Sequence, residues 1–212
     1  MLQVKSFVFS PLYENTYVLY DETREAVIID PGCLSQSEKE ELKSFIDEQN
    51  LLVKAVLLTH AHLDHVFGVA YAKRVFGVKV HMHLLEVPIL ADVESRCKQW
   101  GIPGYEPSTA DVFFEEGDSF KFGNATLDII HVPGHAPGHV AFIAKESNFV
   151  IGGDCLFHRS IGRTDFPGCS HADLIHSIKT KFFTLPDHYV VYAGHMQPTT
   201  IGEEKTQNPF LK

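Results

Sequence analysis

The chain has 212 residues, a length that suits one domain and buries enough apolar surface to fold without disulfides. Its 18 basic and 27 acidic side chains leave a net charge of −9 with histidine neutral, which argues against a non-specific grip on nucleic-acid phosphates or anionic membranes. With 44% hydrophobic and 21% charged residues, no apolar run of bilayer length and no signal-peptide pattern at the N-terminus, the expectation is a cytoplasmic globule.

Alternating apolar residues at 4–9 and 16–20 predict two strands joined by a turn at Ser10-Pro11. A shorter apolar strand at 26–29 ends at Asp30-Pro31-Gly32. Ser35 followed by Glu38 reads as a capping box, opening a helix with a stripe of Leu42, Phe45 and Ile46 that reaches about Asn50. Residues 52–59 form a buried strand, and 63–76 a helix. Residues 78–82 are a further strand and 84–100 a helical region, followed by an irregular stretch to about Ala110. A hairpin around Gly123-Asn124 spans 118–132, strands follow at 140–144 and 149–151, a helix at 170–183 and a last strand at 190–193. Strands followed by alternating strands and helices occur twice, a pattern suited to two mixed sheets with helices outside.

Four cysteines lie far apart with no C-x-x-C pair, so free thiols are expected, although Cys155 and Cys169 fall near the residues singled out below. Histidine is abundant, 13 residues in all, and it is the commonest metal ligand. The strongest local signal is Thr59-His60-Ala61-His62-Leu63-Asp64-His65, directly after an apolar strand. On extended chain His60 and His62 point to one side. Asp64 and His65 then fall at the start of the next helix, where an anionic side chain is favoured. One loop seldom completes a metal shell. His135 in a Pro- and Gly-rich turn, Asp154 after Gly152-Gly153 and His195 after Ala193-Gly194 are further candidates, each at the end of a strand and preceded by glycine.

T-H-A-H-L-D-H, the downstream P-G-H, G-G-D and A-G-H, and the early I-D-P-G together resemble the metallo-β-lactamase superfamily, in family order and over nearly the whole chain. Within it the chain is most similar to short glyoxalase II-type, hydroxyacylglutathione hydrolase-like proteins, on Gly162-Arg163-Thr164-Asp165-Phe166-Pro167, on Thr199-Thr200-Ile201-Gly202-Glu203 and on Asn208-Pro209-Phe210. The resemblance implies an α/β fold, an αββα sandwich of two mixed β-sheets flanked by helices, in a single domain over residues 1–212. It implies a first metal on His60, His62 and His135, a second on Asp64, His65 and His195, and Asp154 between them. Zinc suits such ligands, with iron or manganese as alternatives. Asp30 resembles a carboxylate that orients a ligand histidine, and His139 is a candidate for a similar part. Arg163 and Phe166 are the substrate-binding candidates.

The implied reaction is hydrolysis of a small hydroxyacyl thioester by hydroxide held between two cations, with Asp64 orienting it. Two departures bear on the thiol carrier. The basic C-terminal helical extension of long-form glyoxalase II is missing, and Met196-Gln197 stand where the long form tends to place Glu-Tyr. A mononuclear-iron persulfide dioxygenase and a lactonase are alternatives within the superfamily, and a non-catalytic metal-binding module is the alternative outside enzymes. Nucleases are disfavoured by the charge.

Overall fold

The computed structural model describes residues 2–212. Two compact units emerge, one formed by residues up to Phe114 with Lys121–Ala125, the other by Glu115–Phe120 with Thr126–Lys212.

In the first unit the alternation read at the N-terminus becomes β1 (Gln3–Phe9) and β2 (Glu14–Tyr20), an antiparallel pair, followed by β3 (Glu25–Ile29). Helix α1 (Gln36–Glu48) starts at the expected capping box, with Ser35 Oγ accepting from Glu38 N and Glu38 Oε2 accepting from Ser35 N. Strand β4 (Leu52–Leu57) leads to α2 (Leu63–Val66), α3 (Val69–Phe76), β5 (Lys79–His83), α4 (Val87–Trp100) and β6 (Val112–Phe114). The sheet runs in the order β1-β2-β3-β4-β5-β6, and β3 to β6 are parallel. Its core joins Val18, Ile28 and Val56 of the sheet to Leu42 and Ile46 of α1, Val69 and Ala72 of α3, and Leu90 and Val93 of α4.

The helix expected over 63–76 is broken at Gly68. There the amide donates to Pro31 O at 2.7 Å, and a Cβ would collide with Cys33 Sγ. A glycine is required by that close approach, and it lets the chain turn from α2 into α3. The tip of the next hairpin, residues 121–125, belongs to this unit because Asp21 and Glu25 carboxylates accept from the amides of Asn124 and Gly123, at 2.6 and 2.7 Å.

The second unit contains β7 (Ser119–Phe122), whose end passes into the first unit, and β8 (Ala125–His131), β9 (Val140–Ala144) and β10 (Phe149–Gly153). A two-residue hairpin pair, β11 (Leu156–Phe157) and β12 (Ser160–Ile161), precedes α5 (His171–Thr180), β13 (Val190–Ala193), β14 (Thr199–Thr200) and α6 (Ile201–Gln207). This sheet is ordered β14-β13-β10-β9-β8-β7. It is mixed, since β10 and β13 are parallel while β9 and β14 pair antiparallel with them. Val150 and Val191 of the sheet pack with Leu174 and Ile178 of α5 and Ile201 of α6. Each unit is thus one mixed six-stranded sheet with helices packed against it, the architecture expected. Among the described residues no helix is long and apolar enough to cross a membrane.

Candidate metal centre

In the first unit the parallel pairing of β3 and β4, which shifts register after Ala26 and then runs from Val27↔Ala55 to Ile29↔Leu57, delivers Asp30 and the His60 loop side by side at the carboxyl ends of the strands. Asp30 N donates to Leu57 O at 3.1 Å, and Asp30 takes a left-handed φ of +48°, which Asp tolerates better than most residues. Its buried carboxylate accepts from Thr59 N at 2.7 Å on Oδ1, and from Thr59 Oγ1 at 2.5 Å and His65 Nδ1 at 3.0 Å on Oδ2. A hydroxyl has one proton to give. Having given it to Asp30, Thr59 Oγ1 accepts from His60 Nδ1 at 3.0 Å. One carboxylate therefore sets two imidazoles, directly in His65 and through Thr59 in His60, so that Nε2 is the nitrogen each presents to a metal.

The three rings cluster. His60 lies 4.6 Å from His62 and 4.1 Å from His65, centroid to centroid. Ligand-type atoms of Asp30, His60 and His65 all lie within 4.8 Å of one another. Asp64 follows in α2, buried beside His65. A residue not singled out from sequence supports this loop from below. Glu86, fully buried in the short turn after β5, accepts from Ala61 N at 2.8 Å, between His60 and His62. A second buried carboxyl, Glu14, lies near Asp30, Asp64 and His65 and is held well above the usual carboxylate range, chiefly by burial.

In the second unit the same device recurs. Parallel β10 and β13 pair Gly153 with Ala193, and Gly194 N donates to Gly153 O at 2.8 Å, so that Asp154 and His195 leave the sheet together. His135 stands in the turn after β8. Its Nε2 lies 3.5 Å from Asp154 Oδ2, and His195 Nε2 lies 3.6 Å from the same oxygen. Those separations are long for hydrogen bonds. They match two donors on one ion: ligands at 2.0–2.2 Å on a tetrahedral centre stand roughly 3.4 Å apart.

The surrounding contacts fix each of these groups. His135 Nδ1 donates to Arg163 O at 2.8 Å, and Cys169 Sγ donates to His135 O at 2.8 Å. His139 Nε2 accepts from Asp154 N at 3.0 Å, so its proton is on Nδ1 and it orients the backbone at Asp154. Gly162 has to be glycine, because a Cβ would collide with Asp154 O and stand 3.0 Å from His135 Nδ1. Cys155 is fully buried with its thiol pushed well up by burial, donating to Val132 O at 3.4 Å, which makes it a packing thiol rather than a nucleophile. All four cysteines are free thiols.

Arg163 and Phe166 are adjacent, with the guanidinium 4.1 Å from the centre of the ring. The guanidinium also grips Asp165 through two bonds of 2.7 Å, and it holds that carboxyl down to about 2. Histidines outside the ligand pattern take structural parts: His131 Nε2 meets Pro137 O at 2.8 Å and His188 Nε2 meets Asn148 Oδ1 at 3.2 Å.

Residues 10–195 match the metallo-beta-lactamase superfamily. The hydroxyacylglutathione hydrolase GloC of Haemophilus influenzae is 39% identical over 200 residues, covering 93% of this chain and 92% of its own. The crystal structure of the BLEG-1 B3 metallo-beta-lactamase superposes with a TM-score of 0.91 at 36% identity, over 99% of this chain and 100% of that one. That of TTHA1623 in a di-iron-bound form gives 0.88 at 36% identity, over 98% and 100%. In its fold and along most of its sequence, therefore, the chain belongs to the metallo-β-lactamase superfamily.

Proposed function

We propose that this member of the superfamily is a hydrolase of hydroxyacylglutathione-type thioesters that works with two divalent cations. The observation that carries the metal reading is the pair of imidazole nitrogens standing 3.5 and 3.6 Å from one carboxylate oxygen of Asp154. Nitrogen and oxygen donors suit zinc, and the di-iron relative keeps iron as the alternative. The assignment places His60, His62 and His135 on one cation, Asp64, His65 and His195 on the other, and Asp154 on both. When bound, two such cations would lower the pKa of water to about 7 and so supply a nucleophile at neutral pH.

The chain's own residues do the rest. Asp64 accepts a hydrogen bond from the attacking nucleophile and fixes its direction. Asp30 holds His65, and through Thr59 it holds His60. His139 holds Asp154. Water and a thioester become a carboxylic acid and a thiol. A thiolate, with a pKa of about 8.5, leaves without a strong general acid, and no further acid is needed in the assignment. Similarity to the GloC relative supports the substrate class, and Arg163 with Phe166 is the proposed contact for the thiol carrier.

Metal analysis joined to an activity panel tests this. Protein purified without added metal should hold close to two zinc-class ions and release thiol from a hydroxyacylglutathione. One iron per chain with oxygen uptake on glutathione persulfide would replace this reading with the dioxygenase. Ring opening of lactones or β-lactams without thioester cleavage would replace it with a lactonase or lactamase.

A further inference from the structure

The tail motif Thr199-Thr200-Ile201-Gly202-Glu203 and the following Asn208-Pro209-Phe210 stand close together in the sequence. Between them lies Glu204, fully buried on α6. A buried carboxylate is costly unless donors surround it, and here they do. Thr199 Oγ1 donates to Oε1 at 2.5 Å and Asn208 Nδ2 to Oε2 at 2.8 Å. Arg159 contributes its backbone N to Oε2 at 3.0 Å and Nη1 to Oε1 at 3.5 Å.

Arg159 is the tip of the β11–β12 hairpin and takes a left-handed φ of +58°. The same tip is held three times more by the tail: Asn208 Nδ2 donates to Ser160 O at 3.0 Å, Arg159 Nη1 to Glu203 O at 3.2 Å and Arg159 Nη2 to Glu203 Oε1 at 3.5 Å. The feet of this hairpin are metal-site residues. Asp154 precedes it. Arg163 follows it, with the carbonyl that fixes His135 Nδ1. Within the hairpin Phe157 meets the His195 ring edge-on, at 6.2 Å and 83°. A short hairpin pinned at its tip by a charged group thus connects to Asp154 and His135 at its base and to His195 through Phe157.

We infer that Glu204 is a positioning residue for the metal ligands Asp154, His135 and His195, acting through the β11–β12 hairpin. An apolar side chain would secure α6 equally well, as Ile201 already does. A carboxylate with four donors fixes direction as well as proximity. The inference rests on the ligand assignment made above, but not on the substrate.

The test uses the full chain loaded with zinc or cobalt. Glu204→Gln keeps the size of the side chain but turns one acceptor into a donor facing other donors. With the fold checked by circular dichroism, this variant should lose 10- to 100-fold in metal affinity in a chelator competition, the range expected when a ligand's support is removed. The visible spectrum of its cobalt form should also change. Arg159→Gly removes the guanidinium yet suits the left-handed backbone and keeps the amide bond to Glu204, so its loss should be about threefold or less. Should Glu204→Gln fail to fold, Asn208→Ala applies the same test by removing the bonds to Glu204 and to Ser160 O.

A folded variant with wild-type metal affinity and cobalt spectrum, even at a lower melting temperature, would overturn the inference and leave Glu204 as an anchor of the tail. A wild-type chain that takes up no metal would instead overturn the ligand assignment, and this inference with it. Metal uptake without thioesterase activity would touch only the substrate reading.

Discussion

The two units solve one problem in different ways. Both place ligand-type residues at the carboxyl ends of a parallel strand pair, β3 and β4 in one, β10 and β13 in the other. In the first unit the ligand candidates come from a single loop, His60 to His65, and one buried carboxylate, Asp30, sets two of the imidazoles. In the second unit each ligand candidate comes from a different element, and each has its own contact: Arg163 O for His135, His139 for the Asp154 backbone, Phe157 for His195. A local cluster can be oriented by one residue, whereas a dispersed one needs a support for every ligand. Substituting a support in direct contact with a candidate ligand should therefore be more damaging in the first unit than in the second, where only Glu204, acting through the hairpin, is expected to reach all three.

The largest expected effect is that of Asp64→Ala. Losing the group that orients the nucleophile should cost 10²-fold or more in kcat for thioester hydrolysis, while circular dichroism shows an intact fold. Activity within about tenfold of wild type would remove Asp64 from the reaction.

Asp30→Ala and His139→Ala sharpen the comparison directly. The first strips support from His65 and, through Thr59, from His60. The second frees one backbone amide at Asp154. In a chelator competition Asp30→Ala should weaken metal binding 10- to 100-fold, and His139→Ala by less than tenfold. Equal losses would mean that the first unit does not depend on its single carboxylate. Glu86→Gln belongs between them in kind. It keeps an acceptor for Ala61 N but loses the charge, so metal affinity should fall only a few-fold. A larger fall, read in the same competition, would make Glu86 the principal support of the loop.

The same contrast explains what could be read from sequence. The candidate ligands of the first unit lie within six positions after an apolar strand, so strand alternation and helix-start rules are enough to bring them together. His135, Asp154 and His195 are each only a polar residue at a strand end after glycine; the strong first loop draws them into one candidate site, and the superfamily resemblance is needed to divide them between two metals. Glu86 and Glu204 escaped altogether, because a buried carboxylate in a helical stretch has the same one-dimensional appearance as a solvated one. Strands β11, β12 and β14 have two residues each and β6 has three. Such lengths contain no measurable period. Helix α6, with seven residues, is likewise shorter than the window in which helical periodicity can be recognised. It forms because Ile201 and Glu204 have specific partners in the tertiary structure.

The smallest effect belongs to Arg163, whose carbonyl accepts from His135 Nδ1. Its guanidinium is exposed, bound bidentately to Asp165 and laid over Phe166. A substrate carboxylate would have to displace Asp165, and an exposed ion pair contributes little. Arg163→Ala should therefore raise KM for a glutathione thioester about three- to fivefold and leave kcat unchanged, because the contact is remote from the reacting carbonyl. A neutral small thioester should be unaffected. Asp165→Asn supplies the opposite sign. It frees the guanidinium, still supported by Phe166, and should lower KM for the charged substrate. If both variants leave both substrates alone, or Arg163→Ala raises KM for the two equally, then the guanidinium serves Asp165 alone. The thiol carrier must in that case be recognised by other residues.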